Sequence, residues 1–160
     1  MMINATKLAA FAWLFALTPT AAEALDEHIL AQLACQKAPD ATFALIALER
    51  AGRIESTTTT LMDSATCWPI GPSLDLAGIS FSHICASAED PLLIELFPDY
   101  YYRGPGASPG ISLALVTQAS MTDATEWAAA RVEGQRYRIE KSARVEGSVE
   151  ISCNSLDLFQ

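Results

Sequence analysis

Between Asp99 and Gly110 the chain concentrates side chains suited to recognition. Tyr100-Tyr101-Tyr102-Arg103 runs directly into Gly104-Pro105-Gly106-Ala107-Ser108-Pro109-Gly110. Tyrosine offers a broad rigid face with a hydroxyl at its tip, and the planar fork of arginine suits carboxylates and other anions. A Gly/Pro loop can hold such groups at a fixed angle. Tyr100, Tyr101, Tyr102 and Arg103 are therefore the candidate binding residues. The same residues would also suit an ordered loop whose tyrosines cover a sheet edge while Gly and Pro make turns. The glycine-lysine pattern of a phosphate loop is missing, so nucleotide binding is not indicated.

Catalytic constellations are sparse. His83 and Cys85 lie one strand step apart, but a Cys-His nucleophile needs a free thiolate. Glu89, Asp90, Glu95 and Asp99 supply carboxylates of the kind used in glycoside hydrolysis, yet Asp90, placed before Pro91, is better explained as a helix cap. Gly78-Ile79-Ser80-Phe81-Ser82 lacks the second glycine of a nucleophile elbow. His28 is expected to be exposed on the first helix. These patterns favour a non-enzymatic binding or interaction domain. The alternative is a small periplasmic hydrolase or thiol enzyme using His83 and nearby carboxylates.

The four cysteines, Cys35, Cys67, Cys85 and Cys153, take their meaning from the chain's first residues. Lys7 supplies a positive start, and Leu8 to Leu17 is an uninterrupted apolar run. Thr18-Pro19-Thr20 then breaks it, with small residues following. This is the pattern of a secretory leader, and its apolar run is shorter than the roughly 20 residues that span a bilayer. Residues 1–24 are expected to be removed, by a cut after Ala22 or, preferably, after Ala24. Residues 25–160 would form one exported domain, periplasmic or secreted. In an oxidising compartment an even cysteine count argues for two disulfides. Of the three connectivities, Cys67 with Cys85 and Cys35 with Cys153 is preferred. With no Cys-x-x-Cys pair, neither a metal site nor a cofactor is expected.

The formal net charge is −9, and Lys7 and Glu23 of the leader cancel, so residues 25–160 also carry −9. That acidity disfavours nucleic acid and anionic membrane surfaces after leader removal. It favours a cationic protein or small ligand through long-range steering.

The elements that must carry these residues read as α+β. Leu25 to Lys37 has helical spacing with Asp26 as its cap. Asp40 can cap a second helix over Ala41 to Ala51, which Gly52 would end. The threonine run within Ile54 to Met62 favours strand, and Cys67 to Pro72 reads as an extended turn. Gly78 to Ala86 alternates, with Ile79, Phe81, His83 and Cys85 expected on one face. Asp90-Pro91 starts a short helix that Pro98 stops. Ile111 to Thr117 is apolar enough for a central strand. Asp123 with Glu126 resembles a capping box opening a helix that Gly134 closes. A hairpin turning at Glu146-Gly147 completes the chain. The fold class is thus α+β: a helical hairpin and two further short helices packed on one face of a mainly antiparallel sheet of about five strands, with two disulfides.

Overall fold

Local hydrogen bonding decides where each helix begins. The structure is a computed structural model that describes residues 20–56, 60–62, 64–104, 110–134 and 136–159. Helix α1 (Ala21–Leu33) starts one turn before the expected position because Thr20 and Glu23 form a capping box. The Glu23 amide donates to Thr20 Oγ1 at 3.3 Å, and the Thr20 amide donates to Glu23 Oε2 at 2.7 Å. Two N–H groups that would otherwise lack helical partners are thereby satisfied. The helix also ends earlier than Lys37, because Cys35 turns the chain at φ +54°.

Helix α2 (Thr42–Arg50) has Ala41 rather than Asp40 at its cap position, although Asp40 Oδ1 still accepts the Thr42 amide at 2.9 Å. Its far end is as expected. Gly52 adopts φ +66°, its N–H donates to the Glu49 carbonyl, and the Arg53 N–H donates to the Leu48 carbonyl. These are the paired bonds of a Schellman end, which needs a left-handed residue that glycine supplies without a Cβ clash.

Of the threonine run, Thr57 to Thr59 lie outside the described residues, and Thr60 opens strand β1 (Thr60–Met62). The extended turn expected at Cys67 to Pro72 is instead part of strand β2 (Ala65–Leu76). Cys67, Trp68 and Pro69 pair with Cys85, Ile84 and His83 of strand β3 (Ile79–Ser87), and the register then slips before Leu74 meets Phe81. The prolines of this stretch sit beside or within the slip, where the ladder tolerates a missing N–H. Arg53 pins the same segment. Its carbonyl accepts the Gly71 amide at 2.7 Å, and its Nη2 donates to the Pro72 and Ser73 carbonyls at 2.8 and 2.9 Å.

A second irregularity, between Phe81 and His83 of β3, corrects the expectation that Ile79, Phe81, His83 and Cys85 share a face. Phe81 packs into the main core, whereas Cys85 belongs to a small cluster with Cys67, Ala114 and Val116. One extra residue in a strand reverses the side-chain alternation beyond it.

Helix α3 (Pro91–Leu96) begins at Asp90 and Pro91 as expected. Strand β4 (Ser112–Thr117) is buried throughout and central. Helix α4 (Met121–Arg131) is capped by Ser120 rather than Asp123. Ser120 Oγ accepts the Asp123 amide at 3.1 Å and donates to Asp123 Oδ2 at 2.7 Å. Strands β5 (Arg138–Lys141) and β6 (Val149–Asn154) form the expected hairpin, with Gly147 at φ +75°, and a 3-10 turn (Ser155–Phe159) follows.

The six strands are ordered β1-β2-β3-β4-β6-β5, and every neighbouring pair is antiparallel. The sixth strand, beyond the expected five, is β2, where an extended turn was expected. Trp68, Ile84, Leu115, Ile151 and Ile139 stand side by side across β2, β3, β4, β6 and β5. Against this row pack Ile29 and Leu33 of α1, Leu45 and Leu48 of α2, and Trp127 of α4. The α+β class is therefore as read from the sequence.

Both preferred disulfides are present, Cys35–Cys153 and Cys67–Cys85. The first fastens the end of α1 to β6, and the second staples β2 to β3. Their sequence separations are 118 and 18 residues. Chain entropy assigns them about 5 and about 3 kcal/mol respectively. Urea unfolding should therefore show a larger loss of stability for the Cys35→Ser, Cys153→Ser double variant than for Cys67→Ser, Cys85→Ser. The reverse order would mean that strand stapling outweighs loop closure.

Candidate functional site

The tyrosine cluster leaves α3 through a tight turn. Asp90 Oδ1 accepts the Leu92 amide at 2.8 Å, and Pro91 occupies the first helical position, where its missing N–H costs nothing. Leu93 and Ile94 pack on the core. Leu92 and Leu96, four residues apart, stay outside at 58% and 60% exposure. The Tyr100 and Tyr101 amides then both donate to the Phe97 carbonyl, at 3.1 and 3.0 Å. This turn sets the direction of all four residues that follow.

Two of the four candidate residues point inward. Tyr100 is 6% exposed and Tyr101 is 3% exposed. The Tyr100 ring meets Trp68 edge-on at 6.0 Å, and its hydroxyl donates to the Glu49 carboxylate in a very short contact. The Tyr101 hydroxyl pairs with Thr42 Oγ1 at 2.8 Å. As a pair they clamp the segment onto α2. Burial, reinforced by Glu49, pushes the Tyr100 phenol well above its ordinary range. Burial likewise pushes Tyr101 up to about 12.

Tyr102 and Arg103 are exposed. They begin the loop whose residues 105–109 lie outside the described residues. Both flanks of that loop are tied down. The Gly104 amide donates to Ser64 Oγ at 3.1 Å. The Gly110 amide donates to Glu89 Oε1 at 3.0 Å, and the Gly110 carbonyl accepts Ser87 Oγ at 3.1 Å. Gly110 is at φ +73°, and a Cβ there would meet Asn154 Oδ1 and Ser155 Oγ at 2.8 Å. Glycine is required on both counts.

The outward surface is therefore Leu92, Leu96, Tyr102 and Arg103. The two leucines were assigned no contact role from sequence. Their i, i+4 spacing was available, but in so short a helix nothing local shows which of its four apolar residues face out.

The catalytic alternatives fare differently. Cys85 is bonded to Cys67, and no cysteine is free, so Cys85 offers no thiolate. His83 is half-buried, with Nδ1 3.0 Å from Ser82 Oγ. Burial lowers its pKa, favouring the uncharged ring. No carboxylate orients its imidazole among the described residues. Glu89 and Asp90 are occupied by the Gly110 and Leu92 amides. His28 is half-buried rather than exposed, with its ring 4.6 Å from Phe43. Among the described residues no three of His, Cys, Asp or Glu converge as metal ligands, and no helix is long and apolar enough to cross a membrane.

No family model, curated protein or solved structure matches this chain.

The buried phenols make alkaline behaviour testable. In the unfolded chain a tyrosine ionises near 10, whereas folded Tyr101 holds its proton to about 12. The folded state therefore binds more protons than the unfolded state across that interval. The stability that the Tyr101 phenol contributes is fully present below pH 10 and is lost as pH rises through 12. Thermal melts should fall over this range, and Tyr101→Phe should flatten the fall. At neutral pH the same variant should cost about 1 kcal/mol, because Thr42 loses a buried partner. An unchanged alkaline slope in Tyr101→Phe would contradict the buried phenol.

Proposed function

We propose that this chain is an exported, non-enzymatic binding domain, periplasmic or secreted, that engages a protein or small ligand through Tyr102, Arg103 and the outer face of α3. The observation that carries the reading is the division of the cluster. Tyr100 and Tyr101 are locked into the fold, while Tyr102, Arg103, Leu92 and Leu96 are presented to solvent. Tyrosine and arginine are enriched at binding hot spots, and the two exposed leucines add apolar area beside them. Glu95 and Asp99 are exposed on the same segment, and the whole chain is strongly acidic. A partner of net positive charge suits this surface, with a carboxylate of its own for Arg103.

Export is supported by the apolar run Leu8 to Leu17 after Lys7, and the two disulfides are compatible with it. Residues 20–24 are all exposed, and the first fully buried side chain of α1 is Ile29. A cut after Ala24 would remove the Thr20–Glu23 cap, at about 1 kcal/mol, and leave every core residue in place.

Two measurements test the reading. Intact mass of the protein recovered from the exported fraction should correspond to a chain starting at Leu25, whereas a chain retaining Met1 would contradict export by this leader. Pull-downs from the same fraction should lose their captured partner when Tyr102→Ala is combined with Arg103→Ala, or Leu92→Ser with Leu96→Ser. The binding should also weaken with salt. Equal capture by the wild type and both double variants would refute the surface.

A further inference from the structure

The two cuts expected for the leader fall inside α1 rather than ahead of it. Ala22–Glu23 and Ala24–Leu25 are peptide bonds of the first helical turns of Ala21–Leu33. Thr20 and Glu23 exchange the capping-box bonds there, and the Ala24 amide donates to the Thr20 carbonyl at 3.0 Å. Peptide-binding clefts hold their ligand as an extended strand and read alternate side chains in pockets. The small-x-small pattern Ala22-Glu23-Ala24 presents one face only in that extended form. In a helix each residue turns by about 100°, so Ala22 and Ala24 point to nearly opposite sides. The helix must open before the Ala24–Leu25 bond can be cut, and opening it pulls on Leu25, which packs against the core.

How readily it opens depends on what holds α1 down. A helix of 13 residues is marginal by itself in water. This one is held by docking. Ile29 and Leu33 are fully buried, and Cys35, just past the end of α1, is bonded to Cys153 of β6. Cys153 lies 118 residues downstream, so the fastening cannot close before β6 has crossed into the oxidising compartment. Until then α1 lacks both its disulfide and the sheet it packs on, and its first turns open freely.

We propose, on the basis of the leader inferred above, that the Cys35–Cys153 disulfide closes the period in which the leader can be removed. The unfastened chain offers Ala24–Leu25 in extended form, and the oxidised fold withdraws it into α1. Two reactions are thereby put in order. Water first hydrolyses the Ala24–Leu25 amide, leaving a carboxylate on Ala24 and an amine on Leu25. The Cys35 and Cys153 thiols then give up two protons and two electrons to the disulfide of a thiol oxidant, which departs as a dithiol. A chain oxidised first keeps its leader.

The test exposes the full chain, residues 1–160, to purified signal peptidase in detergent micelles and follows intact mass. Oxidised wild type, reduced wild type, and oxidised Cys35→Ser, Cys153→Ser are compared. The last two should be cut after Ala24 at least about tenfold faster than the oxidised wild type, because cleavage tracks the population of the open form. Oxidised Cys67→Ser, Cys85→Ser keeps α1 fastened and should stay near the wild-type rate. Oxidised Glu27→Gly, which loosens α1 at an exposed position and keeps both disulfides, should be cut roughly threefold faster. Equal rates for oxidised and reduced wild type overturn the proposal and leave the leader standing. Equal acceleration by the two cysteine double variants also overturns it, since general loosening would then govern the cut. If Cys35→Ser, Cys153→Ser does not fold, an unchanged rate in Glu27→Gly overturns the proposal and a faster one supports it. Absence of any cut in the reduced chain overturns the leader itself, and this proposal with it.

Discussion

The row Trp68–Ile84–Leu115–Ile151–Ile139 is the constraint on which the remaining structure depends. Five strands each contribute one large apolar side chain to the same line, and the helices bury that line. Once it faces the helices, pleating sends the neighbouring row, Cys67–Cys85–Ala114–Ser152–Arg138, to the opposite side. The location of the Cys67–Cys85 disulfide, the polarity of the open face and the inward turn of Cys153 towards Cys35 all follow. Trp68 extends the constraint further, because Tyr100 packs edge-on against it and so fixes how the recognition segment leaves the core.

Features that depend on a few adjacent residues were legible in the sequence. Asp90-Pro91 starts α3, and Gly52 ends α2, because capping and left-handed turns are satisfied within one turn of chain. The apolar run of β4 announced a central strand. A leader implied oxidation, and of three open connectivities the preferred one, a short Cys67–Cys85 loop with the first helix tied to the last strand, is the one present. Features set by pairing with a distant strand were not legible. The prolines at 69 and 72 looked like a turn, yet β3 and Arg53 hold them in a slipped ladder. The parity change after Phe81 required knowing that β3 carries an extra residue, Ser82, opposite consecutive residues of β4. The caps of α1 and α4 failed for a local reason: two competing caps lay within three to six residues, and the upstream one won in both cases.

The same distinction applies to the recognition segment. Four consecutive residues, Tyr100 to Arg103, share one composition but not one orientation. The partners that draw the first two inward are Glu49 and Thr42, 51 and 59 residues away, and no local pattern encodes such contacts. Leu92 and Leu96 illustrate the converse, since apolar residues in a short helix read as core until the packing of Leu93 and Ile94 shows which side is used. The acidic composition was visible at once. Its sharpest local expression, Glu140 opposite Glu150, emerged only from strand register.

The outermost strands have a consequence for how many copies of this protein can share a space. A sheet with an open border is a template for further strands, and repeated addition leads to fibrils. Here one border is β1, only three residues long, and the other is β5, whose four residues include Arg138, Glu140 and Lys141. A second chain docking along β5 would have to align those alternating charges with its own, and along β1 it would gain too few bonds to persist. The sheet is thus finished at both sides by brevity and charge rather than by closure, which works against copies of the protein knitting their sheets together.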